Sequence, residues 1–561
     1  MSEHQDSSTP TPTSTVDAPS SLLSLLGESP LKGLQNLKLR TLLACRLICR
    51  TKVPSRELSL PVELSTRVLQ NLDLLTLLAC RLTCHPLKNL ADSTLSLQYK
   101  TALRNAGMGD NPSSTHPTHV RLQKLAKYTD AWKELRWTEH TVLTSKSGAK
   151  PLRLWEIHDC IVAYVIDCSL VFHQLPSRLR GVAARDWEIF LPFRVEDFKF
   201  DVLHDVLMVL QRDLSNYSLH VMSLSTGGVH PLSKEPRISF DGLPAPSGNN
   251  AQLDYSLKIG GDYCGILFRT RGEGPYTAKL LVLDWKTGDT IWAESSESAR
   301  AFVFLSGERC LLLVLSGAGG KLPTQPHLDV WFLRKNEQAY MCSSFLFPPL
   351  AEDLVVDFLI HENKPCGPSS PLNRNAPFAV NDADQLRLLG VTYSVGNVDI
   401  NLFIRLSALI QLVERNVQSI PPHKPYDWAT WVTDVVRIAH FEQLCGTRSA
   451  VQQTTVTVLR GSIVKSVNVH VFHPYPDQNP FSIKTSEYIE HLIQSAGGEL
   501  SVDTLSAELP LELQNSRLTL ECFLSEDNIV LLEFDEHEQD EGDTALSQAQ
   551  ATTVQIHLLT F

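Results

Sequence analysis

The sequence predicts an α+β multidomain protein with two parts, a helical N-terminal region and a longer, mainly β region. From Leu22 to about Met108, leucines recur at three- and four-residue spacing and glycine is rare, a pattern typical of amphipathic helices. After about Lys150, short runs rich in Val, Ile, Phe and Trp alternate with turn residues, as expected for strands. Two of these runs end in the same kind of Thr-Gly turn. We therefore expect helices first and antiparallel strands after them.

The β region is predicted from runs of strand length. These runs are Ile161–Asp167, Val206–Gln211, Leu219–Leu224, Lys279–Trp285, Cys310–Leu315, Leu328–Leu333, Ser466–Phe472, Asn528–Phe534 and Thr553–Phe561. Leu219–Gly228 (LHVMSLSTGG) and Leu280–Asp289 (LLVLDWKTGD) each read as a strand, a turn with glycine at positive φ, and a second apolar stretch. Hairpins that recur every 40 to 60 residues or so predict a propeller-like domain of about six to eight blades. A pair of packed β-sandwiches is the alternative.

Breaks in the pattern predict the domain boundaries. The Pro/Ser/Thr/His stretch at Asn111–His119 ends the first helical region, and a further helix is expected over Val120–Trp137. The predicted segments are a disordered Ser/Thr/Pro-rich tail (1–20), a helical segment (21–57), a helical module and its following helix (58–108), a linker and connecting helix (109–150), and the propeller-like domain (151–561). The last apolar run, ending at Phe561, is predicted to close the ring by pairing with an early strand.

Composition narrows the classes of partner. The net charge of −12 argues against nucleic acid as the main partner, because proteins bind phosphate backbones through basic surfaces. Residues 28–104 are the exception, with 12 Lys/Arg against 5 Asp/Glu, so the two parts are expected to meet different partners. The sequence lacks both an apolar run of about 18 residues and a secretory signal, so we expect no membrane partner and a cytoplasmic or nuclear location.

The helical region contains an internal duplication. Leu34–Cys49 (LQNLKLRTLLACRLIC) and Leu69–Cys84 (LQNLDLLTLLACRLTC) are identical at 13 of 16 positions. Helical repeat arrays need about three or more units, so a local duplication explains the pair better, through either a doubled exon or an error in the gene model. Each copy carries a C-x3-C pair, for which a zinc site is conceivable. Copied core cysteines are the reading we favour, and we expect no metal and no cofactor.

One motif in this region points to a function. Leu58–Lys88 reads LSLPVELSTRVLQNLDLLTLLACRLTCHPLK, with Leu60-Pro61 followed by Glu63-Leu64. Proline is tolerated in the first turn of a helix, and Leu64, Val68 and Leu72 at i, i+4 and i+8 predict one apolar stripe. Three helices this short cannot bury their own apolar surface, so they need the rest of the chain or a partner.

The motif and its flanks resemble a known family. Leu58–Lys88 resembles the F-box, and Ser93–Met108 (STLSLQYKTALRNAGM) with Ala131–Trp137 (AWKELRW) is similar to the segment after the F-box in a family of fungal F-box proteins. Asp427–Trp431 (DWATW) and Phe441–Arg448 (FEQLCGTR) look like later stretches of that family. The resemblance implies an N-terminal helical F-box region followed by a propeller-like region.

The resemblance also implies a role in a ubiquitin ligase. F-box proteins dock onto a Skp-type adaptor, which links them to a cullin scaffold, while the C-terminal region binds a target protein, here unknown. The chain itself would carry no catalytic residues. The residues expected to bind the adaptor are Leu60, Pro61, Leu64, Val68, Leu69, Leu72, Leu77, Cys80 and Leu82.

Two rival functions stay open. Pro86 would end or kink the closing helix of the motif, which favours a propeller scaffold with a decayed F-box. A glycan-hydrolysing enzyme is the second rival, although no paired-carboxylate motif, Gly-x-Ser-x-Gly or His-Glu-x-x-His is present.

Two further stretches have a structural and a functional interpretation. Trp428 and Trp431 are predicted to be core residues rather than an aromatic surface that binds a ligand. The acidic run Glu533–Asp543 is predicted to be a solvated hairpin loop, with a docking site for a basic substrate as the alternative.

Overall fold

The computed structural model describes most of the chain after residue 60. The described residues are 61–72, 74–83, 85–144, 154–158, 160–213, 216–244, 252–271, 276–306, 311–316, 325–333, 338–347, 356–361, 375–380, 388–395, 398–417, 425–438, 443–445, 448–451, 457–459, 462–464, 466–472, 502–510, 519–524, 527–534 and 555–561. The predicted tail, the segment 21–57 with the first copy of the duplication, and most of the acidic run after Phe534 lie outside them. The chain divides into two compact units, Met1–Thr101 and Ala102–Phe561.

Seven helices are described. They are α1 (Val62–Asn71), α2 (Leu74–Thr83), α3 (His85–Ser93), α4 (Leu95–Asn105), α5 (Thr118–Lys133), α6 (Leu406–Val417) and α7 (Trp428–Val435). None of these helices is both long enough and apolar enough to cross a bilayer.

The strands of the second unit form seven four-stranded sheets in the part of the chain that is described. Sheet 1 holds β3 (Trp155–His158), β4 (Ile161–Ile166), β5 (Ser169–Gln174) and β6 (Arg185–Phe190). Sheet 2 holds β7 (Val195–Asp201), β8 (Val206–Asp213), β9 (Asn216–Ser223) and β10 (Arg237–Phe240). Sheet 3 holds β11 (Gln252–Gly260), β12 (Tyr263–Arg271), β13 (Ala278–Asp284) and β14 (Thr290–Ser296). Sheet 4 holds β15 (Ala299–Ser306), β16 (Leu311–Ser316), β17 (His327–Phe332) and β18 (Tyr340–Leu346).

The remaining sheets complete the set. Sheet 5 holds β19 (Val356–His361), β21 (Leu388–Val395), β22 (Val398–Arg405) and β23 (Val436–Ile438). Sheet 6 holds β24 (Gln443–Cys445), β25 (Arg448–Val451), β28 (Ser466–Phe472) and β29 (Val502–Glu508). Sheet 7 holds β2 (Glu139–Thr144), β30 (Thr519–Leu524), β31 (Asn528–Phe534) and β32 (Gln555–Thr560). Two pairs stand apart, β1 (Met108–Asp110) with β20 (Phe378–Val380), and β26 (Thr457–Leu459) with β27 (Ser462–Val464).

The apolar cores lie between successive sheets. One core joins Phe172 of sheet 1 to Phe198 of sheet 2, and another joins Val206 of sheet 2 to Leu257 of sheet 3. Further cores lie between sheets 3 and 4 and between sheets 4 and 5, and a last one lies between sheets 7 and 1. Four-stranded sheets that pack face to face in succession along the chain form a propeller-like region. The predicted propeller-like fold is thereby confirmed. The alternative of a pair of packed β-sandwiches is wrong, because two sandwiches consist of four sheets and the described residues form seven four-stranded ones. The number of blades stays a prediction.

The C-terminal strand β32 pairs with β2, the first strand along the chain to lie in one of the seven sheets. Strand β32 lies between β31 and β2, and its register with β2 runs from Glu139 opposite Thr560 to Thr144 opposite Gln555. The predicted closing role of the C-terminal run is thereby confirmed. The structure differs from the prediction in one respect, because residues 139–144 were expected in the linker and connecting helix. The sequence EHTVLT shows little apolar pattern, as expected for a strand that pairs along one edge only.

The connecting helix α5 packs on this closure. The Trp132 ring stacks on the Phe561 ring with centroids 4.0 Å apart, and the Tyr128 ring meets the Phe378 ring edge-on at 5.6 Å. The helix ends at Lys133, before the predicted Trp137. Leu135 then adopts a left-handed φ of 45°, and the Arg136 amide donates to the Ala131 carbonyl at 2.8 Å. Such a left-handed residue closes a helix by satisfying its last carbonyls.

Both predicted glycine turns are present. Gly227 follows β9 with φ 71°, and Gly288 lies between β13 and β14 with φ 81°. A Cβ atom on Gly227 would also lie 2.7 Å from Cγ2 of Ile189, in sheet 1. Gly227 is therefore required by its backbone angle and by the close approach of the neighbouring sheet.

Helices α6 and α7 are inserted between β22 and β23. Trp428 and Trp431 of α7 are buried in the core between sheets 4 and 5. The Trp428 ring stacks on Phe347 with centroids 5.2 Å apart, and the Trp431 indole N–H donates to the Leu346 carbonyl at 3.0 Å. The prediction that these tryptophans are core residues is confirmed.

Candidate functional site

The first unit is described from residue 61 onward and consists of α1, α2, α3 and the first part of α4. Its core consists of six buried apolar side chains contributed by all four helices: Leu69, Leu77, Cys80, Leu87, Ala91 and Leu97. A core of six residues is small, so each helix keeps a large part of its surface in water.

Helix α1 begins after Pro61, and its buried face does not coincide with the predicted apolar stripe. Ser65 and Leu69 are its buried residues, whereas Leu64 of the stripe is 45% exposed. Val68 is half-buried, and Leu72 lies just past the helix end. Residues spaced by four drift around a helix of 3.6 residues per turn, so the i, i+4, i+8 stripe runs off the buried face and Leu64 faces water.

Helix α2 ends at Thr83, and α3 begins at His85. Pro86 therefore lies in the first turn of α3, where its missing N–H leaves no intrahelical hydrogen bond unmade. The prediction that Pro86 ends the closing helix is confirmed. Since the break falls between two helices that pack on each other, the proline does not distort α2. Leu77 and Cys80 of α2 are buried, and Leu82 is 87% exposed.

In its described part, from residue 61 onward, the first unit leaves four large apolar side chains in water. They are Val62 at 64%, Leu64 at 45%, Leu82 at 87% and Leu95 at 38% exposure, and we call them the exposed aliphatic residues. Single exposed leucines are ordinary on a protein surface, but four within about 35 residues of a small helical unit are consistent with an interaction site.

The nine predicted adaptor-binding residues do not share one environment. Leu60 lies outside the described residues. Pro61, Leu64 and Leu82 are exposed, Val68 and Leu72 are half-buried, and Leu69, Leu77 and Cys80 are buried in the core. A buried side chain cannot touch a partner without unpacking the unit, so the last three residues hold the helices together. Direct contact by the exposed members stays a prediction.

Polar contacts from α4 hold the end of α1, and sequence reasoning missed them. The Lys100 ammonium donates to the Gln70 carbonyl at 2.6 Å and to the Leu72 carbonyl at 2.5 Å. The Gln70 amide donates to the Ser96 hydroxyl at 2.6 Å. Lys100 is the last residue of the LQYK run, whose resemblance to the family flank was visible in the sequence. The contacts of Lys100 were not, because periodicity does not show which helices cross.

Further contacts hold α4 and α3 in place. The Gln98 amide donates to the Asp92 carbonyl, and the Arg81 guanidinium of α2 pairs with the Asp92 carboxylate at 2.7 Å. The Arg81 and Asp92 side chains are each about two-fifths exposed, so the contribution of this ion pair to stability is small. Leu97 supplies the apolar contact of α4 with the core.

Among the described residues of the second unit, Asp197 has a carboxyl pKa shifted well above its ordinary value. Burial in β7 raises its pKa to about 6, the neighbouring Lys199 lowers that pKa, and Glu156 raises it. The Lys199 ammonium is itself paired with the Glu156 carboxylate. This arrangement is typical of a partly buried charge cluster. In the described ranges, no group of three or more His, Cys, Asp and Glu side chains is arranged to hold a metal ion.

The comparisons with known proteins give one family match and several similar solved structures. Residues 58–98 match the F-box domain. No curated protein matches the chain. The chain is similar to the crystal structure of Hsv2 from Kluyvelomyces marxianus, with 10% identity, a TM-score of 0.31, and coverage of 72% of this chain and 97% of the other.

Two further solved structures are similar to the chain at the same sequence identity. The crystal structure of a eukaryotic initiation factor has 10% identity, a TM-score of 0.28, and coverage of 73% and 90%. Oligopeptidase B from Leishmania major has 10% identity, a TM-score of 0.22, and coverage of 62% and 47%. The chain therefore carries an F-box domain at residues 58–98, followed by a β-rich, propeller-like region.

Proposed function

We propose that the protein is the substrate-recognition subunit of a Skp-cullin-F-box type ubiquitin ligase. The F-box would dock the Skp-type adaptor and through it the cullin scaffold, and the propeller-like region would bind the target protein. The observation that carries the proposal is an F-box whose small core is closed while Leu64 and Leu82 remain in water. The same proposal makes the chain non-catalytic and places it in the cytoplasm or the nucleus.

The energetics favour burial of the exposed aliphatic residues by a partner. Removing a leucine side chain from water contributes about 1.5–3 kcal/mol, and residues at the centre of an interface contribute most of its affinity. Leu82 is the strongest candidate for such a central residue, because it has the largest exposed fraction of the large apolar residues in the described part of the chain.

The scaffold alternative rests on Pro86 ending the closing helix, and α2 does end at Thr83, just before the helix that holds Pro86 in its first turn. Because α2 is not distorted, its exposed face stays available to a partner. A scaffold with a decayed F-box is retained as an outcome of the test below.

Replacing Leu82 with glutamate is expected to abolish adaptor binding, because a charge would take the place of an apolar contact. We expect the Kd of the full-length chain for purified Skp-type adaptor to rise about a hundredfold or more, measured by calorimetry. Leu64→Glu should act in the same direction. Because both side chains are exposed, neither change should disturb the unit's core.

The matched control is Leu203→Glu, which charges an exposed leucine, 50% accessible, in the second unit. This variant should bind the adaptor as the wild type does. If the wild-type chain does not bind the adaptor, the scaffold alternative replaces the proposed function. If the wild type binds and Leu82→Glu binds as tightly as the control, Leu82 is not a contact residue.

A further inference from the structure

We infer that Lys100, outside the matched F-box residues, is a positioning residue that sets the geometry of the adaptor-binding helices. The inference rests on the proposed function. It extends the docking unit past the F-box match, which ends at residue 98, to the middle of α4. It also gives the LQYK run a physical role in adaptor binding.

Helix α1 needs such support because its apolar packing is slight. Two of its ten residues, Ser65 and Leu69, are buried. Leu69 is the one α1 residue among the six core residues of the described part of the first unit. Val62 and Leu64, at its first turn, face water. A helix of ten residues is marginal on its own in water and depends on tertiary contacts, so the polar contacts at its ends contribute to holding α1 in place.

Lys100 fixes the end at which α1 gives way to α2. The last carbonyls of a helix have no intrahelical N–H partner, and the helix dipole makes that end negative. The Lys100 ammonium donates to the Gln70 and Leu72 carbonyls at this end. Leu72 has already left the helix, with ψ 148°. The same cation thus holds the last turn of α1 and the first residue of the link to α2.

The link controls how the exposed aliphatic residues are presented. Helix α1 ends at Asn71 and α2 begins at Leu74, so the link between them is short and the position of Leu72 within it affects the direction of α1 relative to α2. Leu64 lies on α1 and Leu82 lies on α2. A partner that contacts both side chains requires their separation to be fixed, and the contact from Gln70 to Ser96 supports the same end of α1.

Lys100→Met tests this role, since methionine keeps much of the apolar stem and removes the ammonium. We expect the Kd of the full-length chain for purified Skp-type adaptor to rise about tenfold or more, mainly through faster dissociation. Lys100→Arg retains a cation that can donate to both carbonyls and should bind within about threefold of the wild type. The matched control is Lys88→Met on α3, an exposed lysine, which should leave the Kd unchanged.

Hydrogen exchange on the same variants separates positioning from loss of structure. In Lys100→Met we expect faster exchange of the amides at the end of α1, while the amides around Leu77 and Cys80 in α2 keep their wild-type rates. Rescue by arginine together with this local change supports the inference. Equal loss of protection throughout α1 and α2 overturns it, because the lysine would then only stabilise the unit.

The measured affinity for the adaptor distinguishes failure of this inference from failure of the proposed function. If the wild type binds the adaptor and Lys100→Met binds equally well, the inference alone is overturned. If the wild type does not bind, the proposed function is overturned and the positioning role falls with it.

Discussion

Replacing Arg180 with methionine is expected to lower the free energy of unfolding of the second unit by about 3–5 kcal/mol, because it leaves a buried carboxylate without its cation. The side chains of Arg180 and Asp527 are 1% and 2% exposed, and the Arg180 Nε lies 3.0 and 2.9 Å from the two Asp527 carboxylate oxygens. Arg180 precedes β6 of sheet 1, and Asp527 precedes β31 of sheet 7. The pair therefore joins the first sheet to the last.

Hydrogen bonds around the pair connect it to the closure. The Asn528 amide donates to the Pro176 carbonyl at 3.2 Å, and the Phe561 amide donates to the Asp527 carbonyl at 3.0 Å. The Thr560 hydroxyl donates to the Asn528 side-chain oxygen at 2.7 Å. Loss of Arg180 should therefore loosen the pairing of sheets 1 and 7 before the other sheets unfold.

The matched control is Arg178→Met, two residues away. Arg178 pairs with Glu139 at 2.9 Å, but its side chain is 64% exposed, so its loss should cost less than about 1 kcal/mol. Chemical denaturation of the full-length chain, followed by tryptophan fluorescence, measures both variants. Equal stability of Arg180→Met and Arg178→Met would contradict the role of the buried pair.

Deleting residues 554–561 is expected to have a still larger effect, because it removes β32 from the middle of sheet 7. The deletion would leave β2 without its partner and would remove four buried apolar side chains: Ile556, Leu558, Leu559 and Phe561. At about 1.5–3 kcal/mol for each side chain, we expect the melting temperature to fall by about 10 °C or more.

A graded variant shows whether this loss comes from the strand. Phe561→Ala keeps β32 and removes the ring that stacks on Trp132, so its melting temperature should lie between those of the wild type and the deletion. Calorimetric scans of the three full-length proteins check the order. A deletion variant that melts with the wild type would contradict closure by the C-terminal strand.

Strand positions in the second unit followed from local pattern where strands are apolar. The predicted Ser466–Phe472 and Asn528–Phe534 coincide with β28 and β31, because the first is a valine-rich run and the second a run of Ile, Val and Leu. Strand β2 was missed because its partner lies some four hundred residues away and its own sequence is mixed. The pairing that closes the set of sheets is a non-local property, and only the apolar character of the last run indicated it.

The candidate site was predictable in position but not in orientation. The Leu60-Pro61 and Glu63-Leu64 motif located the helices, yet the buried face of α1 is centred on Leu69 and not on the stripe from Leu64 to Leu72. Which side of a short helix is buried depends on its neighbours, and so does the contact of Lys100 with the end of α1. Neither follows from the spacing of residues along one helix.

Hydrogen exchange of the full-length chain, alone and with excess purified Skp-type adaptor, tests the central claim most directly. The account predicts slower exchange on binding in α1 and α2, which carry Leu64 and Leu82, and unchanged exchange in sheets 1–7. Slower exchange confined to the sheets, with α1 and α2 unchanged, would contradict docking through the F-box.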